Sequence, residues 1–460
     1  MEESDELKEL ISRFETSLSD GATHFFDLDD FETIIDYYLD FGLTQKARTA
    51  LHHAFRIYPG SSALCLKRAQ ILAYQNKRER ALEILSEMEV TDPDNREINL
   101  TKAHIYSQMQ QHDKSIEEYI KAAEDTEQDQ EDICISIAFE HENKGDFTGA
   151  LSYLHKALEI NPDNESVVYE MSYCYEMLEM PEASLPYFHA YLDRHPFSTL
   201  AWFNLGVTLS QMERWGDAIE AYDYVLAIDE SFASAYFNKA NALGGLGLYE
   251  KAIQTYYETF GHEDPDHLTW YYIGECYEKM EKYREAIDHY LKSVSLNDKY
   301  ADAWMGIGSC YHRLENHSLA AQYLKISISK EPKNPEGWYM LGDVSRDRQD
   351  FEKAEECYQM VASLDPERED IWIDLHDLYF TNDRPLQSLE RIEEGLTRFP
   401  DNAPMLYRRI VSLYFKGMQR DAILLLEALY PRFPKEASVM FELAPGLHMV
   451  NEITRIVPHS

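Results

Sequence analysis

Apolar residues recur along this chain at spacings of three and four, which is the pattern of amphipathic helices and not the alternation of half-buried strands. The segment 199–232 shows this most clearly, because two apolar runs with helical spacing are joined there by a short polar stretch. The two runs are Trp202, Leu205, Gly206 and Leu209, then Ala218, Tyr222, Val225 and Leu226. The segment therefore predicts two helices with one apolar face each.

The predicted helix pair repeats along the chain. Trp270, Trp304 and Trp338 lie 34 residues apart in similar sequence contexts, and Trp202 lies two such periods before Trp270. Extending the period in both directions predicts twelve repeats, all 34 residues long except one of 35. They start at residues 28, 62, 96, 131, 165, 199, 233, 267, 301, 335, 369 and 403. A single helix pair cannot bury its apolar flank, so neighbouring pairs are expected to stack.

Two further positions support this register. Sixteen residues after the Trp position, every predicted repeat carries a small residue, which would let two helices cross closely. These residues are Ala47, Ala81, Ser115, Ala150, Ser184, Ala218, Ala252, Ala286, Ala320, Ala354, Ser388 and Ala422. Eight repeats end at Pro, which lacks an amide donor and stops a helix. The Trp or Tyr rings at the fourth position are predicted to fill the core between pairs.

The pattern W-x2-L-G-x2-Y…A-x3-F…P at this period resembles the tetratricopeptide repeat family. The repeat from 301 carries it as Trp304, Ile307, Gly308, Tyr311, Ala320, Leu324 and Pro332. The resemblance covers residues 28–436 and implies an all-α fold, an α-solenoid of twelve helix-turn-helix repeats wound into a right-handed superhelix. The ends of a solenoid need capping. We therefore expect an N-terminal capping helix in 1–27 and C-terminal capping helices in 437–460, although either end could instead dock onto another protein.

Charge narrows the class of partner. Asp and Glu number 83 against 43 Lys and Arg, which gives a formal net charge of −40. Such a field repels phosphate backbones and anionic lipid surfaces, so nucleic acid and membrane insertion are not expected. The six cysteines form no C-x-x-C pair, and the N-terminus lacks the basic start and apolar run of a secretory signal. A cytoplasmic location with free thiols fits these features.

Candidate chemistry is sparse, so we do not expect an enzyme. The sequence has no phosphate-binding loop, nucleophile elbow or zincin motif. His262, Glu263, Asp264, Asp266 and His267 could bind a divalent ion, but acidic loops are common in this family. Cys174, Cys276 and Cys310 fall beside the predicted core and are interpreted as small buried hydrophobic residues. We expect no cofactor and no metal.

The resemblance implies a concave groove lined by positions 2, 5, 9, 12 and 13 of each first helix. Across twelve repeats these positions hold sixteen Asp or Glu and three Lys or Arg. From the fifth repeat onward, position 5 forms a largely aromatic ladder of Tyr169, Phe203, Phe237, Tyr271, Met305, Tyr339, Ile373 and Tyr407. The candidate partner-binding residues are Tyr169, Tyr173, Phe203, Phe237, Asn241, Tyr271, Glu275, Met305, Tyr339, Asp343, Arg346 and Tyr407. An aromatic residue is common at position 5 in the family, so this ladder could also be ordinary repeat character.

These features favour a non-catalytic scaffold or adaptor that binds partner proteins or peptides in an acidic, aromatic groove. A partner with basic and apolar residues would complement such a surface. A chaperone-tail clamp is disfavoured, since it needs Lys at position 5 and no repeat has one. Two alternatives stay open: a regulatory or substrate-recruiting subunit of an enzyme complex, and a structural homo-oligomer formed through the capping helices.

Overall fold

The computed structural model describes residues 5–20, 25–93, 95–123 and 130–458. The chain has an all-α fold, and it divides into two compact units, Met1–Ile228 and Asp229–Ser460. Within the described part of the first unit the α-helices are α1 (Asp5–Asp20), α2 (Leu28–Asp40), α3 (Thr44–Ile57), α4 (Ser62–Tyr74), α5 (Arg78–Thr91), α6 (Arg96–Gln108), α7 (His112–Ala123), α8 (Gln130–Asn143), α9 (Phe147–Ile160), α10 (Glu165–Met177), α11 (Leu185–Arg194), α12 (Thr199–Gln211) and α13 (Trp215–Ile228). A 3₁₀ turn, Pro181–Ser184, leads into α11.

The second unit continues the same succession of helices. Its described α-helices are α14 (Ala233–Gly245), α15 (Tyr249–Thr259), α16 (His267–Lys279), α17 (Tyr283–Leu296), α18 (Ala301–Arg313), α19 (His317–Lys330), α20 (Pro335–Asp347), α21 (Phe351–Leu364), α22 (Glu369–Thr381), α23 (Pro385–Arg398), α24 (Ala403–Phe415), α25 (Gln419–Leu429), α26 (Ser438–Leu443) and α27 (Asn451–Ile456). The 3₁₀ turns Lys435–Ala437 and Pro445–Met449 flank α26. From α2 to α25, each even-numbered helix packs against the odd-numbered helix that follows it.

Local sequence signals mark the ends of many of the first helices. Several first helices begin after an Asn, Asp or Ser whose side chain accepts a hydrogen bond from a free amide of the first turn. These caps include Asn95, Asn164, Ser198, Asp266, Asn334 and Asn402. The turn that follows the first helix contains one residue with positive φ, between 54° and 95°. Such left-handed residues satisfy the last carbonyls of a helix and reverse the chain.

These left-handed residues recur regularly through the described chain. They are Gly42, Asn76, Gln110, Gly145, Glu179, Glu213, Gly247, Glu281, Glu315, Gln349, Asp383 and Gly417. The interval is 34 residues throughout, apart from 35 between Gln110 and Gly145. The backbone therefore repeats with the period that the hydrophobic pattern has, although the division into twelve repeats and two caps stays a prediction.

The small residue of each predicted repeat lies in the second helix, except that Ser184 ends the 3₁₀ turn before α11. All twelve predicted Ala or Ser side chains are at most 1% exposed. In several pairs a glycine of the first helix makes room for a bulky side chain of the second helix. That bulky residue stands four positions after the small one. A Cβ on Gly342 would lie 2.5 Å from the ring of Tyr358, and one on Gly206 would lie 2.6 Å from that of Tyr222. The two halves of the repeat motif are thus a direct contact.

The fourth-position rings have a more varied role than the predicted core filling. Trp372 is 3% exposed, but Trp202, Trp304 and Trp338 are only half-buried. Their indole N–H groups donate to the carbonyl oxygen six residues earlier, which belongs to Pro196, Asp298 and Pro332 and lies 2.9 Å away in each case. These tryptophans therefore tie the first helix to the end of the preceding pair, with one ring face left accessible.

Apolar residues at both termini cover the neighbouring helices. Phe14 of α1 is buried and meets Phe26 and Phe31 edge-to-face, with ring centroids 5.6 and 6.1 Å apart. Leu18, one turn after Phe14 on the same helix, is 41% exposed. At the other end Met440, Leu447 and Ile453 are buried in one cluster with α24 and α25. Burial of this kind is what a capping role requires, and we retain capping as our interpretation.

Candidate functional site

Among the candidate partner-binding residues, the exposed aromatic side chains are Tyr169 and Tyr173, both in the first unit. Tyr169 and Tyr173 lie one turn apart on α10 and are 48% and 38% exposed. Phe139 on α8 is 58% exposed, and Met177 at the end of α10 is also exposed. We call Phe139, Tyr169, Tyr173 and Met177 the aromatic patch. Exposed aromatic rings on neighbouring first helices form a surface that a partner can cover with a gain of apolar burial.

A cavity of roughly 360 Å³ has Phe139 of this patch in its lining. Phe139, Ile135 and Leu154 supply its apolar lining, and Glu142 and Glu170 supply carboxylates. Glu140 also lines it, but this buried carboxylate is paired with His112 across 2.7 Å. Among the described residues around this cavity none is Lys or Arg. We call it the acidic pocket.

The other two carboxylates of the acidic pocket, Glu142 and Glu170, are partly desolvated. Burial raises the pKa of Glu170 above its usual range. Burial also raises the pKa of Glu142, the charge of Glu170 adds to this effect, and a hydrogen bond from the Cys174 thiol opposes it. A raised carboxyl pKa means that the ionised form is disfavoured where it stands. A cation brought into the pocket would relieve that cost.

Further along the ladder the predicted residues turn toward other side chains of the protein. The ring of Phe203 lies 6.0 Å from that of Tyr222, within the first unit. In the second unit, Phe237 packs between Tyr256 and Tyr272, with centroid distances of 5.8 and 5.7 Å. Asn241 accepts a hydrogen bond from the Tyr256 hydroxyl. These side chains are half-buried and hold helices together as well as facing the surface.

Tyr271, Glu275 and Met305 line a second cavity, of roughly 550 Å³, within the second unit. Its carboxylates are Glu275, Glu278, Glu281, Asp302 and Glu336, against the bases Lys279 and Arg313. Burial is the largest cause that raises the pKa of Glu275 and that of Asp302. The ring of Tyr271 packs against Tyr290 and Tyr300 at 5.5 and 5.1 Å. Tyr271 therefore lines this cavity and at the same time packs against its neighbours in the cavity wall.

Tyr339, Asp343 and Arg346 on α20 all make contacts with other side chains of the protein. The Tyr339 hydroxyl donates to Asp374 across 2.8 Å, and the Arg368 guanidinium lies 3.9 Å from the centre of its ring. Asp343 accepts a 2.6 Å hydrogen bond from Tyr358 and pairs with Arg346 at 3.0 Å. This segment of the predicted site is therefore tied into an intramolecular network of hydrogen bonds and ion pairs.

The assignment of Tyr407 to the partner surface is wrong for the structure as it stands. Its side chain is 0% exposed, and its hydroxyl donates to the carbonyl oxygen of Phe433 across 2.7 Å. The cause is the segment after α25, which folds back over α24 and covers the position that is open on α10. Tyr407 therefore belongs to the C-terminal core.

Asp377, His376 and Ser412 form a sequence of contacts like that of a hydrolytic triad. One ring nitrogen of His376 lies 2.7 Å from Asp377, and the other lies 2.8 Å from the Ser412 hydroxyl. His376 and Ser412 are both 0% exposed, so no substrate reaches them in this conformation. Arg408 forms a bidentate pair with Asp377 at 2.9 Å, and Ser388 contacts Ser412. The group joins α22, α23 and α24 as a buried polar network.

The cysteines behave as the sequence predicts. Cys174, Cys276 and Cys310 are buried free thiols, and burial is the first cause that raises the pKa of each, to about 12 for Cys276. A raised thiol pKa means little thiolate and low reactivity at neutral pH. Among the helices that the structure describes, none combines the length and the apolar character needed to cross a bilayer.

Comparison with known proteins defines the family. Models of the tetratricopeptide repeat match residues 97–124, 131–164, 177–231, 207–267, 267–300, 301–334 and 335–368, which together exceed half of the chain. The chain belongs to the tetratricopeptide repeat family, and the class of protein it represents is a protein-interaction scaffold. A search of curated proteins gave no match.

Several solved structures of the family are similar to this chain. YrrB, described as a TPR protein with an unusual peptide-binding site, is 20% identical, covers 39% of this chain and 93% of its own, and has a TM-score of 0.33. The APC/C hetero-tetramer Cut9-Hcn1 is 14% identical, covers 89% of this chain and 93% of its own, and has a TM-score of 0.41. A tetratricopeptide repeat protein from Parabacteroides merdae is 13% identical, covers 53% of this chain and 96% of its own, and has a TM-score of 0.45.

Two residues that sequence reasoning left out are central to the acidic pocket. Phe139 occupies position 9 of its repeat, a groove position, and the aromatic character there was the available signal. Glu170 follows Tyr169 at position 6, outside the groove set, and only the contact between α8 and α10 brings it beside Glu142. Position within one repeat cannot reveal a pocket that two neighbouring repeats build.

Proposed function

We propose that this protein is a non-catalytic cytoplasmic scaffold that binds a basic segment of a protein partner at the aromatic patch and the acidic pocket. The single observation that carries the proposal is the acidic pocket itself. Glu142 and Glu170 share a cavity with an exposed phenyl ring, and both carboxylates are disfavoured in their ionised form by burial. A Lys or Arg side chain of a partner would supply the missing counter-charge.

The aromatic patch supports the same ligand chemistry. Cations bind favourably over aromatic faces, by about 0.5–2 kcal/mol depending on how far both groups are desolvated. Phe139 borders the pocket, and Tyr169 and Tyr173 extend the exposed surface along α10. A peptide that places one basic side chain in the pocket and an apolar one over the tyrosines would therefore use both features.

The cavity of the second unit offers a related but weaker match. Its carboxylates outnumber its bases by five to two, and two of them, Glu278 and Glu275, already have partners or a nearby lysine. Lys279 and Arg313 partly neutralise this site, whereas the acidic pocket has no such lining residue in the described chain. The first unit is accordingly our choice for the principal contact.

Binding of labelled synthetic peptides, followed by fluorescence anisotropy, tests the proposal. A peptide with Lys or Arg flanked by aromatic or aliphatic residues should bind more tightly than its Glu-substituted counterpart, and the affinity should fall with added salt. Glu142→Gln with Glu170→Gln, and separately Tyr169→Ala with Tyr173→Ala, should each weaken binding several-fold. Glu159→Gln and Phe197→Ala, at exposed sites away from the patch, are the matched controls. Equal affinity for the basic and acidic peptides would contradict the proposal.

A further inference from the structure

Three side chains with metal-binding chemistry meet at the surface of the second unit. His312 is the penultimate residue of α18, His317 is the first residue of α19, and Asp347 is the last residue of α20. One donor atom from each lies within 4.8 Å of the other two. His312 Nε2 and Asp347 Oδ2 are already 2.7 Å apart. Among the described residues, these three are the His, Cys, Asp or Glu side chains that come close enough to hold one metal ion together.

The repeat geometry explains why these residues converge. The turn after α18, with left-handed Glu315, reverses the chain within three residues and brings His317 back beside His312. The two imidazole rings lie 5.4 Å apart in an edge-to-face arrangement. Asp347 occupies the corresponding end of the next first helix, so stacking of one pair on the next places its carboxylate at the same site.

The surroundings favour a cation at this point. The cavity beside the three side chains has a volume of roughly 680 Å³ and is also lined by Glu315, Glu336 and Asp343. Arg313 is the base among its lining residues, and the Arg346 guanidinium lies 3.9 Å from Asp347. The Nδ1 atom of His317 is shielded from solvent and has no hydrogen-bond partner. One imidazole nitrogen at this site is therefore unsatisfied without a ligand.

We propose that His312, His317 and Asp347 bind a divalent transition-metal ion, with Zn²⁺ as the preferred occupant. Two imidazoles and a carboxylate are ligands typical of zinc, whereas Mg²⁺ and Ca²⁺ prefer oxygen alone. Zn–N and Zn–O bonds of about 2.0–2.2 Å in a tetrahedral site place ligand atoms about 3.4 Å apart. The donor atoms already lie within 4.8 Å of one another, so modest rotations of the three side chains would bring them to that spacing. The fourth position would be open to water or to a donor from a partner.

The proposal has a structural consequence that does not depend on the partner-binding proposal. A bound ion would replace the hydrogen bond between His312 and Asp347 and would join the turn after α18 to the end of α20. It would therefore tie two neighbouring helix pairs together. Because the ion binds the folded arrangement and not the unfolded chain, it should raise the stability of the second unit.

Zinc affinity of the full, tag-free chain tests the assignment. We would measure it by competition with a chromophoric chelator, and compare His312→Ala, His317→Ala and Asp347→Asn with the double variant His262→Ala plus His267→Ala. That control removes two histidines from the acidic segment 262–267, in which three donors do not come together. Circular dichroism would establish that each variant keeps its helices.

We expect one zinc ion per chain at the tightest site, a loss of affinity of at least about tenfold in each of the three single variants, and no loss in the control. Zinc should raise the melting temperature of the parent chain and not that of His317→Ala. If the parent chain binds no zinc, or if the three single variants bind it as tightly as the parent, the site does not exist. Loss of binding only in the control would likewise overturn the assignment.

Discussion

Tyr339 donates a 2.8 Å hydrogen bond to Asp374, and this contact between neighbouring first helices separates its role from that of Tyr169. Both residues occupy position 5 of a predicted repeat. The carboxyl of Asp374 is largely buried, and burial raises its pKa while the Tyr339 hydrogen bond lowers it. The tyrosine hydroxyl therefore helps to hold a carboxylate in a site that disfavours its charge.

Tyr339→Phe should destabilise the second unit by about 1–3 kcal/mol, because it leaves a buried carboxylate oxygen without its donor. The pKa of Asp374 should rise further in the variant. Chemical denaturation at neutral pH, followed by circular dichroism, measures the first effect. Tyr169→Phe is the matched control and should change stability little, since that side chain is 48% exposed. Equal stability of both variants with the parent would show that the Tyr339 contact contributes nothing.

The helix pair also predicts opposite outcomes for two glycines. Gly342→Ala would place a Cβ 2.5 Å from the ring of Tyr358, so we expect a loss of about 1–3 kcal/mol from overpacking. Gly244→Ala meets no atom within 4 Å, and it should be neutral or stabilise the helix by up to about 1 kcal/mol. Melting temperatures of the two variants provide the comparison. A similar loss of stability in both variants would mean that Gly342 is needed for its backbone flexibility and not for its contact with the Tyr358 ring.

Much of the fold could be predicted because the residues that determine each helix pair lie within a single repeat. The Ala or Ser at each helix crossing, the Gly that faces a ring in the second helix, and the helix-stopping Pro all act within one pair. The site could not be predicted to the same degree, since its environment comes from neighbouring pairs. Tyr169, Tyr339 and Tyr407 share one repeat position, yet the first is exposed, the second is bonded to Asp374 and the third is covered by the C-terminal segment.

The charges of Glu142 and Glu170 in the acidic pocket should lower the stability of the fold while they favour binding of a basic peptide. The folded-state pKa values of Glu142 and Glu170 are raised, so these groups favour folding while they are protonated, and that contribution is lost as the pH rises through the folded pKa. At neutral pH their charges therefore cost stability. Glu142→Gln and Glu170→Gln should raise the melting temperature at neutral pH and weaken binding of a basic peptide.

Measurements at two pH values separate this effect from a simple packing change. Below the ordinary glutamate pKa of 4.5 the variants and the parent should converge in stability, because the parent carboxyls are then protonated. Glu159→Gln, on the exposed face of α9, should change neither stability nor binding. Variants that melt earlier than the parent at neutral pH would show that the two carboxylates stabilise the fold.

The buried His376 predicts that the second unit loses stability as the solution becomes acidic. Burial is the first cause that lowers the pKa of this imidazole, and the hydrogen bond to Asp377 opposes it. A histidine with a depressed folded-state pKa contributes stability that is complete above its unfolded value, near 6.5, and is lost as the pH falls toward the folded value. The ring contacts Asp377 and Ser412, and Arg408 pairs with Asp377. Protonation would therefore add a charge to an imidazole that is itself fully buried.

His376→Gln keeps a polar side chain at this position but cannot take up a proton. We expect the variant to be less stable than the parent at neutral pH, because its shorter reach cannot satisfy both Asp377 and Ser412, and to lose less stability between about pH 6.5 and pH 5. Hydrogen exchange of α22 and α24 across that range measures the slope where the residue acts. His262→Gln, at an exposed loop position, should retain the slope of the parent. If His376→Gln shows the same slope as the parent, His376 does not take up its proton in that range, and another group must account for the loss.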